Sequence, residues 1–157
     1  MSLHDIPLRV LTVEYPRIVH ILRSNVQITS VALFDDQQSI SDSFLAIWDT
    51  GATNTVISRT VIEALALIPT GVTMVNTSHG IHQSYVYLID LKLPSNVRFS
   101  VLRVTEGSIA GADVLLGMDI LTQGDFVITN AEERTTFSFR VPPVKHIDFG
   151  ADDECEK

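Results

Sequence analysis

The sequence predicts a single, mostly-β domain, built either as a small closed barrel or as a sandwich. Short apolar runs of β character follow one another along the chain, and turn-forming segments such as Pro94-Ser95-Asn96 separate most of them. The clearest alternation lies in residues 85–93, where every second side chain is apolar or aromatic. A chain of 157 residues with 45% hydrophobic residues is long and apolar enough to bury one core.

The predicted strands are short runs rich in apolar, β-branched and aromatic residues. In chain order they cover residues 8–13, 17–22, 26–34, 43–48, 83–93, 97–105, 114–116, 126–129 and 135–141. One helix is predicted near residues 60–67, because Thr60 and Glu63 have the spacing of a capping box. Ser58 is an alternative cap, and Pro69 ends the helix.

Composition and charge limit the function classes. The formal net charge of -8 argues against nucleic acid as a partner, because phosphate binding needs clustered Lys and Arg. No apolar stretch reaches the roughly 18 residues that span a bilayer, and the N-terminus lacks a signal-peptide pattern. We therefore expect a cytoplasmic protein with no membrane partner. Cys155 is the only cysteine, which leaves no internal disulfide.

Two segments carry the chemistry of the chain. An apolar run, residues 44–48, is followed by Asp49, Thr50, Gly51 and Ala52. This order places a carboxylate at the end of a strand, beside a hydroxyl and a residue with no side chain. Later, residues 113–121 supply a short apolar strand that ends in glycine and then a helical turn. The alternative for Asp49 is a turn residue whose side chain caps local backbone amides.

Together the two segments resemble the retroviral-type aspartic proteases (retropepsins) and their cellular and bacterial relatives, over about residues 26–141. The resemblance implies a closed acid-protease barrel with one short helix after Gly117. It also implies an aspartic endopeptidase without cofactor, in which Asp49 is catalytic and residues 50–52 form the active-site loop. We expect a protease domain over residues 17–143, after an N-terminal strand or extension at 1–16 and before an acidic, flexible tail at 144–157.

A single Asp-Thr-Gly motif predicts a homodimer. Peptide hydrolysis by this route needs two neighbouring carboxylates that share one proton. One acts as general base toward a water, and the other donates a proton to the scissile carbonyl oxygen. A two-fold contact would bring Asp49 of each chain to face its copy. By resemblance, the terminal strands at 8–13 and 137–141 are candidates to complete the dimer sheet.

Residues 74–83 predict a hairpin between the two motifs. In retropepsins the matching hairpin is the flap that closes over the peptide. By resemblance its tip comprises Ser78, His79, Gly80 and Ile81. An ordinary surface hairpin is the alternative. His79 and His82 have a metal-like spacing, but no third ligand is evident nearby, so we predict no metal site.

Candidate residues lining the substrate groove are Val56, Ile57 and Leu116. Thr53 and Met118 depart from the retroviral pattern, which has an acid and an arginine at these two positions. The ion pair of that family is therefore absent, and Asp119 could pair instead with an arginine such as Arg59. Two other readings remain open: a peptide-binding or assembly module that keeps the fold without proteolysis, and a structural dimer with no groove ligand.

Overall fold

The computed structural model describes residues 7–35, 37–77 and 80–152. Its strands are β1 (Arg9–Glu14), β2 (Arg23–Ser30), β3 (Ser41–Trp48), β4 (Val56–Ile57), β5 (Gly71–Thr77), β6 (Gly80–Lys92), β7 (Arg98–Glu106), β8 (Val114–Leu116), β9 (Asp125–Thr129) and β10 (Thr136–Val141). The helices are α1 (Arg59–Ala64), α2 (Met118–Leu121) and α3 (Phe149–Asp152). None of the described helices has the length and apolarity needed to cross a bilayer.

Six strands close into a barrel. They follow the order β2-β3-β8-β4-β7-β6, and β6 then pairs with β2 to complete the circle. Strand β3 runs parallel to β8, and β4 runs parallel to β7. Strand β5 extends the sheet beyond β6 as one arm of a hairpin. The prediction of a mostly-β, closed barrel is confirmed, and the alternative of a sandwich is wrong.

The core follows from the alternation of the strands. In β2, and in β3 from Phe44 onward, the even-numbered residues point inward and are buried, among them Val26, Ile28 and Ala46. At the end of β3 the ring of Trp48 lies 4.8 Å from the ring of Phe137, measured between centroids. Burying one such large apolar side chain contributes roughly 1.5–3 kcal/mol. This packing joins the barrel to the second sheet.

The second sheet is antiparallel, in the order β1-β10-β9. The chain after β10 is tied to the start of β9, because the backbone amides of Val144 and Lys145 donate to Oδ2 of Asp125 at 2.7 and 3.2 Å. The Arg140 guanidinium donates to the same oxygen at 2.8 Å. These hydrogen bonds, led by that from Val144, lower the pKa of Asp125. The predicted terminal strands, β1 and β10, pair with each other within one chain, and β1 and β9 are the two edge strands of this sheet among the described strands.

The predicted strand at residues 17–22 is wrong. This stretch is an irregular connection from β1 to β2, and only some of its backbone groups make hydrogen bonds to distant residues. The amide of Val19 donates to the Thr135 hydroxyl at 3.1 Å, and the amide of Thr135 donates to the carbonyl of Arg17 at 3.3 Å. Isolated hydrogen bonds therefore take the place of a strand ladder in this run, although its composition is typical of a strand.

The predicted helix near 60–67 is present but shorter. It begins at Arg59 with Ser58 as its N-cap residue, so Thr60 is not the cap, and the Ser58 side chain makes no capping hydrogen bond. It ends at Ala64, before Pro69, because Ala66 adopts a left-handed φ of 48° that no helix continues. Part of the expected tail, residues 144–152, is described, and it includes α3. Residues 153–157, with Cys155, lie outside the described residues.

Candidate active site

Asp49 lies directly after β3, where the parallel neighbour β8 fixes the backbone. Its amide donates to the carbonyl of Leu116 at 3.0 Å. Its carboxylate Oδ1 accepts from the amide of Gly51 at 2.8 Å. A Cβ on Gly51 would lie 3.1 Å from that same oxygen, so glycine allows the close approach of amide and carboxylate. Within the described residues Oδ2 accepts no hydrogen bond, which leaves one carboxylate oxygen for other partners.

The second segment, residues 113–121, is joined through the backbone to the loop that follows Asp49. The amide of Met118 donates to the carbonyl of Ala52 at 2.8 Å, and the amide of Asp119 donates to the carbonyl of Thr53 at 3.2 Å. Gly117 lies so close that a Cβ there would be 2.7 Å from the carbonyl carbon and oxygen of Asn54. The two segments that the sequence analysis singled out therefore form one structural unit.

The carboxylate of Asp119 anchors this unit from inside. Its Oδ2 accepts from the amide of Thr55 at 2.9 Å, and its Oδ1 accepts from the Thr55 hydroxyl at 2.8 Å. Thr55 is fully buried. The predicted pairing of Asp119 with Arg59 is wrong, because Thr55 already binds both carboxylate oxygens. Arg59 instead pairs with Glu63 at 3.0 Å and Glu106 at 3.5 Å on the surface.

A cavity of about 240 Å³ opens beside Asp49 and Thr50. Its other lining residues come from the connection before β2, the ends of β3 and α2, and the second sheet with the residue after β9: Val19, His20, Leu22, Trp48, Leu121, Phe126, Ile128, Asn130 and Phe137. Phe126 and Ile128 are 36% and 41% exposed, so two large apolar side chains of β9 face this cavity and the solvent. The sequence analysis missed His20, Phe126 and Ile128 as site residues, because their approach to Asp49 depends on the path of the chain between elements.

The hairpin predicted over residues 74–83 is formed by β5 and β6, which pair from Gly71↔Val86 to Thr77↔Gly80. Gly80 has a left-handed φ of 108°, and Ile81 is 68% exposed. Ser78 and His79, the other two predicted tip residues, lie outside the described residues, so the tip stays a prediction.

Of the three residues predicted to line a groove, two point into the barrel. Ile57 and Leu116 are fully buried, whereas Val56 is half-buried. Val56 pairs with Leu115, which is also half-buried, so these two side chains share the outer face of the barrel wall. Leu115 was not predicted as a lining residue, because a strand of three residues is too short for its alternation to show which side chains face outward. Among the described residues no group of three His, Cys, Asp or Glu side chains could hold a metal ion.

The chain is similar to known aspartic proteases. The model of the family described as "gag-polyprotein putative aspartyl protease" matches residues 41–123, just over half of the chain. A retropepsin-like aspartic protease from Rickettsia conorii superposes with a TM-score of 0.55 at 12% identity, covering 87% of this chain and 98% of that chain. The simian foamy virus (mac) protease gives a TM-score of 0.42 at 21% identity, covering 62% of this chain and 89% of that chain. No curated protein matches in sequence.

Proposed function

The chain belongs to the family of gag-polyprotein aspartyl proteases, and from this premise we propose that it is an aspartic endopeptidase whose catalytic residue is Asp49. The observation that carries the proposal is the position of this carboxylate. It follows β3, is held by Leu116 and Gly51, and keeps one oxygen without a hydrogen bond among the described residues. The family match spans both Asp49 and the later segment that fixes its loop.

Catalysis in this proposal takes place in a homodimer. One carboxylate cannot act as general base and general acid in the same step, so a second Asp49 is supplied by a second copy across a two-fold axis. The two aspartates share one proton, because two carboxyl groups in such close proximity do not both ionise. The ionised aspartate activates the water, and the protonated one donates to the scissile carbonyl oxygen.

The surface beside Asp49 supports a second copy as the partner. Strand β9 is an edge strand whose outer backbone groups have no strand partner among the described residues, and such edges readily pair. Its exposed Phe126 and Ile128 line the same cavity as Asp49 and Thr50. A two-fold contact of β9 with its copy would cover these apolar side chains and bring the two active-site loops together.

The remaining residues have roles that follow from their place. Thr50 bonds across the axis to hold the loops together, and Gly51 and Ala52 leave room for substrate backbone. The hairpin of β5 and β6 is the flap, with its tip at residues 78–81. The peptide binds extended, like an added strand, and Val56 contributes an apolar wall.

Cleavage of a diverse peptide mixture, read by mass spectrometry from about pH 3.5 to 7, tests the proposal. Wild type should cleave, and Asp49→Asn should not. Asp42→Asn is a matched control, because Asp42 is an exposed aspartate of the same strand; it should behave as wild type. Cleavage by Asp49→Asn would overturn the assignment. No cleavage by either protein, in a preparation shown to be dimeric, would favour the non-proteolytic peptide-binding module.

The dimer has its own test. Ile128→Asp should yield a monomer in analytical ultracentrifugation and abolish cleavage, since it places a charge in the contact. Ile40→Asp is the control, because Ile40 is equally exposed, at 41%, but lies at the distant turn between β2 and β3. An Ile128→Asp protein that stays dimeric and active would show that β9 is not the contact.

A further inference from the structure

We propose that Arg23 forms a subsite for an acidic side chain of the peptide, so that the enzyme favours Asp or Glu near the scissile bond. The inference rests on the proposed endopeptidase function and adds a substrate class to it. Arg23 is an exposed residue at the start of β2.

The strand registers place Arg23 on the same face as the catalytic carboxylate. Arg23 pairs with Ile47, and Ile47 pairs with Leu115. Cross-strand partners share a face, so these side chains lie together on the outer wall of the barrel, with Val56 beside them. Ile47 precedes Asp49 by two residues, and the amide of Asp49, just past the end of β3, still donates to the carbonyl of Leu116 on β8 at 3.0 Å. The extended course of β3 therefore continues to Asp49, which puts both residues on this wall.

The spacing fits a position close to the bond that is cleaved. Two residues along a strand and one step across the sheet separate the Cα atoms of Arg23 and Asp49 by roughly 8 Å. An extended peptide covers that distance in two to three residues. The guanidinium therefore reaches side chains about two or three positions from the scissile bond.

The backbone of Arg23 is held in place at the start of β2, while its side chain is exposed. The hydroxyl of Tyr15 accepts from the Arg23 amide and donates to the Arg23 carbonyl, both at 2.7 Å. Its Nη2 atom lies 3.9 Å from the point where a Cβ of Gly111 would sit, so the guanidinium borders the loop between β7 and β8. That loop flanks the wall formed by Leu115.

The charge of Arg23 has no acidic partner within ion-pair distance among the described residues. The nearby carboxylate of Asp113 accepts from the amide of Leu45 instead. A concavity of about 430 Å³ opens beside Arg23, and every titratable group that lines it is basic: Arg17, His20 and Arg23. This basic patch stands out in a chain of net charge -8.

A guanidinium binds a carboxylate through two parallel hydrogen bonds, which adds direction to charge. The uncharged side-chain amide of Gln has the same shape but only one acceptor oxygen, so it cannot accept both hydrogen bonds from the guanidinium. In a two-fold dimer each copy supplies one Arg23, so the preference should appear at matching distances on both sides of the scissile bond.

The experiment compares peptides that carry Glu or Gln at each of the three positions on either side of one cleaved bond. We expect wild type to favour Glu about 5- to 10-fold in kcat/KM at one position per side. Arg23→Gln should reduce the Glu to Gln ratio to about one, and Arg23→Lys should keep part of it. Arg98→Gln is the control, because Arg98 is an exposed arginine at the far end of β7; it should keep the full ratio.

A binding measurement separates this inference from the proposed function. Fluorescence anisotropy of the same labelled peptides with Asp49→Asn reports the subsite without catalysis. A Glu preference that depends on Arg23 supports the subsite even if no protein cleaves. Cleavage by wild type with no Glu preference at any position, or with a preference that survives Arg23→Gln, would overturn the subsite and leave the endopeptidase intact.

Discussion

Thr55→Val tests whether the contact between Thr55 and Asp119 holds the active-site unit together. Valine keeps the shape of threonine but removes the hydroxyl that donates to Asp119 at 2.8 Å and accepts from the Gly117 amide at 3.4 Å. A hydrogen bond to a charged group contributes about 1.5–3 kcal/mol, and the longer bond adds little. We expect a loss of about 2 kcal/mol in the free energy of unfolding, or about 4–8 °C in Tm for a chain of this size.

Urea unfolding of a double-mutant cycle isolates the pair. Thr55→Val, Asp119→Asn and the double variant should give a coupling energy of about 1 kcal/mol or more, because both residues share one buried network. Thr12→Val is the control. Its hydroxyl contacts Ser138 on the exposed face of the second sheet, so its loss should cost less than about 0.5 kcal/mol.

The result that refutes the reasoning is a coupling energy within about 0.3 kcal/mol of zero. Thr55 and Asp119 would then contribute independently, and the hydrogen bonds between them would not fix the loop. Loss of cleavage in Thr55→Val with unchanged unfolding would also contradict it, since the effect is expected through loop stability.

Two other outcomes follow. Gly117→Ala should lower the free energy of unfolding by about 1–3 kcal/mol and lower kcat/KM, because its Cβ would lie 2.7 Å from the backbone of Asn54. Gly71→Ala should leave both quantities unchanged, since a Cβ there meets nothing within 4 Å. Equal Tm values for the two variants would contradict the packing. Asp125→Asn should lower Tm most at neutral pH, because the hydrogen bond from the Val144 amide holds the folded pKa of Asp125 below its usual range. The stabilisation by this carboxylate is therefore complete above the unfolded pKa and is lost as pH falls through the folded pKa. A Tm difference that stays constant from about pH 6 to 2 would show that this carboxylate is not the source.

Local patterns predicted a mostly-β domain and the two segments that the structure joins around Asp49, because alternation and the Asp-Thr-Gly-Ala run depend only on neighbouring residues. The resemblance to retropepsins then supplied the closed form and the helix after Gly117. The irregular path of residues 17–22 was missed, since their hydrogen bonds go to Thr135, far along the chain. The partner of Asp119 was missed for a related reason. The charge of Asp119 suggested an arginine as its partner. In the structure its carboxylate instead accepts hydrogen bonds from the hydroxyl and the backbone amide of the buried Thr55.

The parallel pairing of β3 with β8 also has a kinetic side. The contact between Leu45 and Asp113 at this pairing joins residues 68 positions apart. Closing such a long loop loses chain entropy before the contact stabilises the fold, so we expect strand pairs between distant segments to form late in folding. The hairpins of β2 with β3 and β5 with β6 are local, so we expect them to form first. We therefore expect Asp49 to reach its fixed position only when most of the barrel has formed, so that a partly folded chain would carry the aspartate without this geometry.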